Sequence, residues 1–146
     1  VAGNMLYLYI FGDNIEAAYS KIKYAVFYFV CGALAAMVHY LFNSLSNVPA
    51  IGASGAISGI LGSYLVLYPN SKITSLVYIG WGYYFTSISA KWFILFWFVY
   101  QVFLVFIGEQ SGVAYWAHIG GIFTGLIVTV VLKDKLLRRR YMFPYF

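Results

Sequence analysis

The hydrophobic positions of the chain fall into long runs that short polar stretches separate. Such runs are typical of helices that cross a bilayer, because a hydrocarbon core about 30 Å thick needs roughly 20 apolar residues per helix. The pattern predicts helices at residues 1–12, 22–43, 53–68, 91–107 and 114–132. No Ser/Pro-rich linker divides the runs, so we expect residues 1–146 to form a single transmembrane domain.

Residues 73–90 ("ITSLVYIGWGYYFTSISA") interrupt this pattern. The segment is long enough to span a bilayer, but it is rich in Tyr, Trp, Gly, Ser and Thr. Aromatic and amphipathic residues concentrate at the membrane–water interface. We therefore interpret the segment as a loop that lies along one membrane surface.

Composition supports a membrane location. Hydrophobic residues make up 63% of the chain and charged residues 9%, whereas a soluble domain carries about 25% charged residues. We expect a multi-pass integral membrane protein, in a prokaryotic cell membrane. The net charge of +5 requires no nucleic-acid partner, because topology and attraction to membrane lipid with anionic headgroups account for it. Cys31 has no second cysteine with which to form an internal disulfide.

The basic residues predict the topology. If residues 73–90 do not cross the membrane, all nine fall on one side, and the opposite loops carry a single charge, Glu109. The positive-inside rule favours this arrangement. We therefore expect the basic tail, residues 133–146, to be cytoplasmic. The nine residues are Lys21, Lys23, Lys72, Lys91, Lys133, Lys135, Arg138, Arg139 and Arg140.

Two of the predicted helices carry glycine stripes. Residues three and four apart share one helix face, and small residues on a face let membrane helices approach closely. One stripe follows "GASG" at 52–55, and the other lies in "AHIGGIFTG" at 117–125. Their members are Gly55, Gly59 and Gly62, and Gly121 and Gly125.

Packing these two faces together predicts that Ser54 lies near His118 on the extracytoplasmic side. A serine hydroxyl is a weak nucleophile until a neighbouring base takes its proton, and histidine does this in Ser-His hydrolases. No Asp or Glu is suitably placed, so we predict a two-residue dyad. Either residue alone is more simply explained as a packing or polar contact in a membrane helix, whereas the combination favours catalysis.

The other histidine, His39, has no serine motif beside it, and we expect no direct role for it. Because the two histidines lie far apart in the sequence without other ligands, we predict no metal site and no cofactor.

Together, these motifs resemble the rhomboid intramembrane serine proteases. "GASG" leads a glycine-rich helix, "AHIGG" opens the last helix, "GNMLYLYIFGDNIE" at 3–16 is similar to the family's second helix, and "WFVYQ" at 97–101 is similar to its fifth. The resemblance implies an all-α polytopic bundle with a six-helix core, of which the first helix and first loop are missing from this chain. It also implies that the serine lies below the membrane surface under a water-filled cavity.

The resemblance also assigns roles. Ser54 matches the nucleophile and His118 the general base, while the Asn4 amide and the Ser54 N–H match the oxyanion hole. Gly52 matches the loop glycine ahead of the nucleophile, and Gly121 and Gly125 match the packing glycines opposite the nucleophile. The predicted helix-packing residues are therefore Gly52, Gly55, Gly59, Gly121 and Gly125. Some members of the family stack an aromatic residue on the histidine from the position that is Ser58 here, which leaves open how His118 is held.

The function implied is intramembrane cleavage of single-pass transmembrane proteins, which unwind locally near the cleavage site. The implied access route lies between the second and fifth helices, at Tyr7, Phe11, Phe93 and Trp97, although a plain lipid-facing role is the favoured explanation for any single one of these aromatics. One alternative is a catalytically silent rhomboid-like protein that binds transmembrane segments. A channel or transporter is disfavoured, since the spans contain neither paired charges nor a recognisable internal repeat.

Overall fold

The structure is a computed structural model that describes residues 1–43, 53–108 and 112–142. The chain begins with one continuous helical stretch made of α1, a π-helical segment and α2. Three further helices, a β-hairpin and a long final helix complete the described part. The elements are α1 (Ala2–Tyr7), the π-helical segment (Leu8–Gly12), α2 (Asp13–Tyr19), α3 (Lys21–Phe42), α4 (Ser54–Leu67), β1 (Lys72–Ile79), β2 (Gly82–Ser89), α5 (Ala90–Phe106) and α6 (Tyr115–Met142).

The helical membrane fold that the sequence predicts is confirmed, and its first and last helices extend further than the apolar runs. The first helix continues to Tyr19, because Ile15, Ala18 and Tyr19 form a buried face beyond the first charged residues. The last helix continues into the basic tail as far as Met142. Within the described ranges, two helices are long and apolar enough to cross a membrane, namely Lys21–Phe42 and the Tyr115–Arg138 part of α6.

The interpretation of residues 73–90 as a loop is wrong in its local structure. Strands β1 and β2 pair antiparallel from Lys72↔Ser89 to Ile79↔Gly82. The turn between them is Gly80-Trp81, and Gly80 has a φ of +63°, as a two-residue hairpin turn requires of its first residue. The β-branched and aromatic residues on both sides of this turn favour strands. The sequence did not distinguish a hairpin from an interfacial loop, because the same aromatic residues are also favoured at the membrane interface.

Helix α4 lies at the centre of the bundle, and eleven of its fourteen residues are buried. It packs between α3 and α6 through its glycines. A β-carbon at Gly55 would meet Ala35 of α3 and Ala117 of α6, and one at Gly59 would meet Cys31 and the Gly121 carbonyl. On α3, Ala35 faces Gly55 and Cys31 faces Gly59, so α3 runs antiparallel to α4. On α6, Ala117 faces Gly55 and Gly121 faces Gly59, so α6 runs parallel to α4.

The contact between α4 and α6 brings backbone against backbone. A β-carbon at Gly121 would collide with the Gly55 carbonyl, and one at Gly125 would collide with the Gly59 carbonyl. This is the close approach that small residues spaced four apart permit in membranes. The packing role predicted for these four glycines therefore has a direct structural basis, whereas Gly52 lies outside the described residues.

The lengths of α3 and α4 show how far Ser54 lies from the end of the bundle. At 1.5 Å per residue, the fourteen residues of α4 span about 21 Å, which is less than the roughly 30 Å hydrocarbon core. Gly55 contacts Ala35, and α3 continues seven residues further to Phe42, a rise of about 10 Å. The α4 N-terminus thus lies well inside the end of α3.

The hairpin leaves and re-enters the bundle at one end. The Ala90 N–H donates to the Ser71 carbonyl at 2.8 Å, and the Lys91 N–H donates to the Pro69 carbonyl at 3.0 Å. The start of α5 is thereby fastened beside the end of α4. Because α4 and α6 run parallel, the C-terminal end of α6 lies at this same end of the bundle.

Leucine at Gly59 or Gly121 should lower the stability of the bundle, because a side chain there must push backbones apart. Overpacking of this kind typically costs about 1–3 kcal/mol. Thermal unfolding of the purified protein in detergent measures the effect, and Gly3→Leu is the matched control, since a β-carbon at Gly3 meets nothing within 4 Å. Equal unfolding temperatures for Gly121→Leu and Gly3→Leu would contradict the tight α4–α6 contact.

The hairpin and the C-terminal part of α6 should be accessible from the same side of the membrane. Ser87→Cys and Lys135→Cys, each in a Cys31→Ala background, place a thiol at exposed positions of these two elements. A membrane-impermeant maleimide should label both in vesicles of one orientation and neither in vesicles of the other. Labelling from opposite sides would contradict this arrangement, because it would place the hairpin and the C-terminal part of α6 on different sides of the membrane.

Candidate active site

Ser54 is the first residue of α4 and is half-buried. The first backbone hydrogen bond of this turn runs from the Ile57 N–H to the Ala53 carbonyl at 2.9 Å. The N–H groups of Ser54, Gly55 and Ala56 consequently have no acceptor within α4. Such a helix start attracts negative charge, since these N–H groups and the helix dipole point toward it.

His118 lies in the first turns of α6 and is 7% exposed. Its Nε2 is 2.9 Å from the Ser54 Oγ, a hydrogen-bonding distance. The proximity predicted from the two glycine faces is therefore observed. The contact follows from the packing, because Ser54 immediately precedes Gly55 and His118 comes one turn before Gly121.

Gln101 holds the other side of the imidazole. Its Oε1 lies 2.8 Å from the His118 Nδ1, and the side chain is 4% exposed. An amide oxygen carries no proton, so Nδ1 must be the donor, which leaves the Nε2 lone pair facing the Ser54 hydroxyl. Ser54, His118 and Gln101 thus form a linear chain of hydrogen bonds across α4, α6 and α5.

Sequence reasoning missed the contact made by Gln101. It noted this residue only as the end of "WFVYQ", although an amide in the apolar helix α5 was a usable signal. Polar side chains in membrane helices commonly bond to a neighbouring helix. The signal was incomplete, because nothing in the sequence showed which face of α5 meets α6.

Aromatic rings complete the surroundings of His118. The Trp97 ring centroid is 5.4 Å from that of the imidazole, and the Tyr115 centroid is 6.4 Å away. Ser58, which stands where some members of the family have an aromatic residue, donates instead to the Ser54 carbonyl at 2.7 Å and is buried. The imidazole is therefore held by Gln101 and flanked by Trp97 and Tyr115.

Asn4 lies in α1 and is half-buried. Helix α1 packs against α4, but the Asn4 amide makes no hydrogen bond to another described residue. His39 is 9% exposed, and its Nδ1 lacks a hydrogen-bond partner within the described ranges. Neither residue belongs to the hydrogen-bonded chain at Ser54.

The four aromatics predicted for the access route form a cluster between the first helical stretch and α5. Tyr7 lies 6.2 Å from Phe93 and 6.3 Å from Trp97, and Phe11 lies 6.1 Å from Phe93, measured between ring centroids. Phe11 is 1% exposed. These rings pack the two elements together, and Phe11 does not face lipid.

The arrangement contains the groups that an activated serine would use. A nucleophile, a base within hydrogen-bonding reach and a group that orients the base are the three parts this chemistry uses. In the described part of the chain, no group of three or more His, Cys, Asp or Glu side chains is arranged to hold a metal ion.

Comparison with known proteins identifies the family of the chain. The family model of the Rhomboid domain matches residues 1–135. The chain is 31% identical to RHOMBOID-like protein 4 of Arabidopsis thaliana over 142 residues, which cover 94% of this chain and 31% of that protein. It is 30% identical to RHOMBOID-like protein 6, mitochondrial, of the same plant over 129 residues, which cover 88% of this chain and 38% of that protein.

The chain spans about a third of the length of these relatives. No solved structure matches significantly. The family match nevertheless covers almost all of the chain, including Ser54, Gln101 and His118. The chain belongs to the rhomboid family, whose domain is a helical membrane fold.

Proposed function

We propose that this protein is an intramembrane serine endopeptidase that cleaves single-pass transmembrane substrates with a Ser54-His118 dyad. The observation that carries the proposal is the position of His118, with Nε2 2.9 Å from the Ser54 Oγ and Nδ1 2.8 Å from the Gln101 Oε1. This geometry supplies the correct tautomer of the base and aims it at the nucleophile. The reaction needs no cofactor.

In the first half of the reaction, the His118 Nε2 takes the Ser54 hydroxyl proton while Oγ attacks the scissile carbonyl carbon. The imidazolium then gives that proton to the leaving amine as the peptide C–N bond breaks, which leaves an acyl ester on Ser54. In the second half, His118 takes a proton from water as the water oxygen attacks the ester carbon; the bond between that carbon and Oγ then breaks, His118 returns the proton to Oγ, and the new carboxyl end of the substrate leaves. Gln101 keeps the Nδ1–H in place throughout.

The negative oxygen of each tetrahedral intermediate would lie at the start of α4. The Ser54 N–H has no acceptor within the helix, and the helix dipole favours negative charge there. Preorganised donors of this kind are commonly worth about a hundredfold or more in rate. We propose the Asn4 amide as the second donor, since α1 packs against α4 and this amide bonds to no other described side chain or backbone group.

The depth of Ser54 supports the proposed class of substrate. A nucleophile roughly 10 Å inside the end of α3 is reached most directly by a peptide already in the membrane. A substrate helix must unwind locally to expose its carbonyl, so we expect small or helix-breaking residues near its cleavage site. Access between α1 and α5 would require the rings at Tyr7, Phe11, Phe93 and Trp97 to separate.

We propose that the hairpin end of the bundle faces the cytoplasm and that the Ser54 end faces the opposite side. The support is the position of Lys72, Lys91 and the basic C-terminal part of α6 at one end. The expectation of a prokaryotic membrane stays a prediction without support, because both relatives described above are plant proteins.

The alternative is a catalytically silent rhomboid-like protein that binds transmembrane segments. A fluorophosphonate probe separates the two functions, since covalent labelling requires an activated serine. Labelling that depends on both Ser54 and His118 supports the protease, and absence of labelling of the full-length protein supports the silent binder.

Gln101→Met should lower the rate of substrate cleavage, because it removes the acceptor for the Nδ1–H at nearly constant volume. A buried donor left unsatisfied costs about 1–3 kcal/mol, which corresponds to roughly a fivefold to 150-fold loss. The loss should fall on kcat rather than KM, since the binding of the substrate is unaffected. Cleavage of a transmembrane substrate in liposomes measures both parameters.

Two variants test whether this effect is specific. Gln101→Glu keeps an oxygen acceptor and should retain more activity than Gln101→Met. Phe103→Met changes an exposed residue on the same helix and should act like wild type. If Gln101→Met also keeps the wild-type kcat, Gln101 does not position the base.

Ser54→Ala and His118→Ala should each abolish cleavage by the full-length protein, and the double variant should be no worse. Residues of one catalytic unit are grossly non-additive, because the loss of either disables the same step. Asn4→Ala should leave measurable activity, because the Ser54 N–H remains as an oxyanion donor.

The matched control for the serine is Ser58→Ala, one turn along the same helix, which removes a hydroxyl that bonds only to the Ser54 carbonyl among described residues. It should cleave far better than Ser54→Ala. Normal cleavage by Ser54→Ala, with expression confirmed, would end the protease assignment for this site.

A further inference from the structure

The β-hairpin exposes an aromatic tip that the helix bundle does not cover. Five aromatic side chains near the turn are more than half exposed, and Trp81 is completely so. They are Tyr78, Trp81, Tyr83, Tyr84 and Phe85. At the other end of the hairpin, by contrast, Ile73 is buried in the core and Ile88 packs against it. The hairpin is therefore anchored at its base and uncovered at its tip.

The hairpin is aromatic and uncharged at its tip and mostly polar at its base. The ten residues around the turn, 76–85, read "LVYIGWGYYF"; half of them are aromatic and none is charged. The positions at the base are mostly polar, with Lys72 paired to Ser89 and Thr74 paired to Ser87. A hairpin that projects into water normally has the opposite pattern, since turns and tips favour Gly, Asn, Asp and other polar residues.

The hairpin starts and ends beside the joined ends of two apolar helices. Helix α4 ends at Leu67 and α5 begins at Ala90, and the backbone hydrogen bonds of Ala90 and Lys91 join the two helix ends directly. A strand of eight residues reaches about 26 Å, so the tip can lie well outside the bundle yet remain in the plane of the headgroups.

We propose that this hairpin is an interfacial anchor whose aromatic tip inserts into the headgroup region of the bilayer that holds the bundle. Tyr and Trp are favoured there because one part of each ring system is apolar and another bonds to water or headgroups. Charge agrees with this partner: the hairpin has no acidic residue, and Lys72 and Lys91 flank it. Lysines at this level attract anionic lipid.

A lipid partner also explains how a hairpin of only two strands can be stable. Two strands alone are marginally stable in water, and an uncharged aromatic sequence with two open strand edges is prone to pair with other chains. Insertion into the interface covers the rings and removes the tip from water. The anchor would restrain the junction between α4 and α5, and it does not depend on the proposed protease activity.

The test is to measure where the tip lies. The variant Cys31→Ala/Trp81→Cys, labelled with the fluorophore NBD, is reconstituted into phosphatidylcholine–phosphatidylglycerol liposomes. We expect blue-shifted emission, strong quenching by lipid spin-labelled near the headgroup, and quenching by aqueous iodide several-fold weaker than at the control site. The control is Cys31→Ala/Lys135→Cys, which places the same fluorophore at an exposed position of the C-terminal part of α6.

Each other outcome overturns the anchor. Iodide quenching equal to the control, without quenching by spin-labelled lipid, would mean that the tip projects into water. Protection from both quenchers that increases with protein density would mean that a second copy covers the tip. Protection from both at every density would mean that the tip folds back on its own bundle.

Discussion

The close contact between α4 and α6 is the constraint on which the rest of the structure depends. Lipid tails are as apolar as helix side chains, so helices in a membrane associate mainly through packing and hydrogen bonds. Here the glycines let the carbonyls of α4 lie directly against the backbone of α6. The same contact determines the distance between Ser54 and His118, because both residues lie within a turn of the glycines that meet. Stability and alignment therefore cannot be changed independently at this interface.

The hydrogen-bonded chain uses a neutral amide where many serine hydrolases use a carboxylate. A buried carboxylate inside the membrane would carry a large desolvation cost, whereas Gln101 satisfies the Nδ1–H without any charge. In the proposed mechanism, the amide fixes the tautomer of His118 but stabilises the imidazolium less than an acid would. Transition-state stabilisation would then fall more heavily on the donors at the start of α4.

Much of this arrangement could be predicted from the sequence, because its signals are periodic or local. Apolar runs predicted the five helices, and glycines at spacings of three and four predicted which faces meet, hence the Ser54–His118 contact. Three features escaped for physical reasons. The hairpin was obscured because aromatic residues suit strands and interfaces equally. Helix ends beyond the membrane carry no hydropathy signal, and the contact of Gln101 depends on the rotation of α5 about its own axis.

Position 58 supplies no ring to His118, because Ser58 is buried and its hydroxyl donates to the Ser54 carbonyl at 2.7 Å. Of the two rings beside His118, Tyr115 lies on α6 itself, whereas Trp97 lies on α5, one turn before Gln101. Gln101 and Trp97 thus contact the imidazole from α5, while Ser54 lies on α4. If substrates enter between α1 and α5, the displacement of α5 that admits them also loosens His118, so the base would regain its alignment only as α5 closes on the bound substrate.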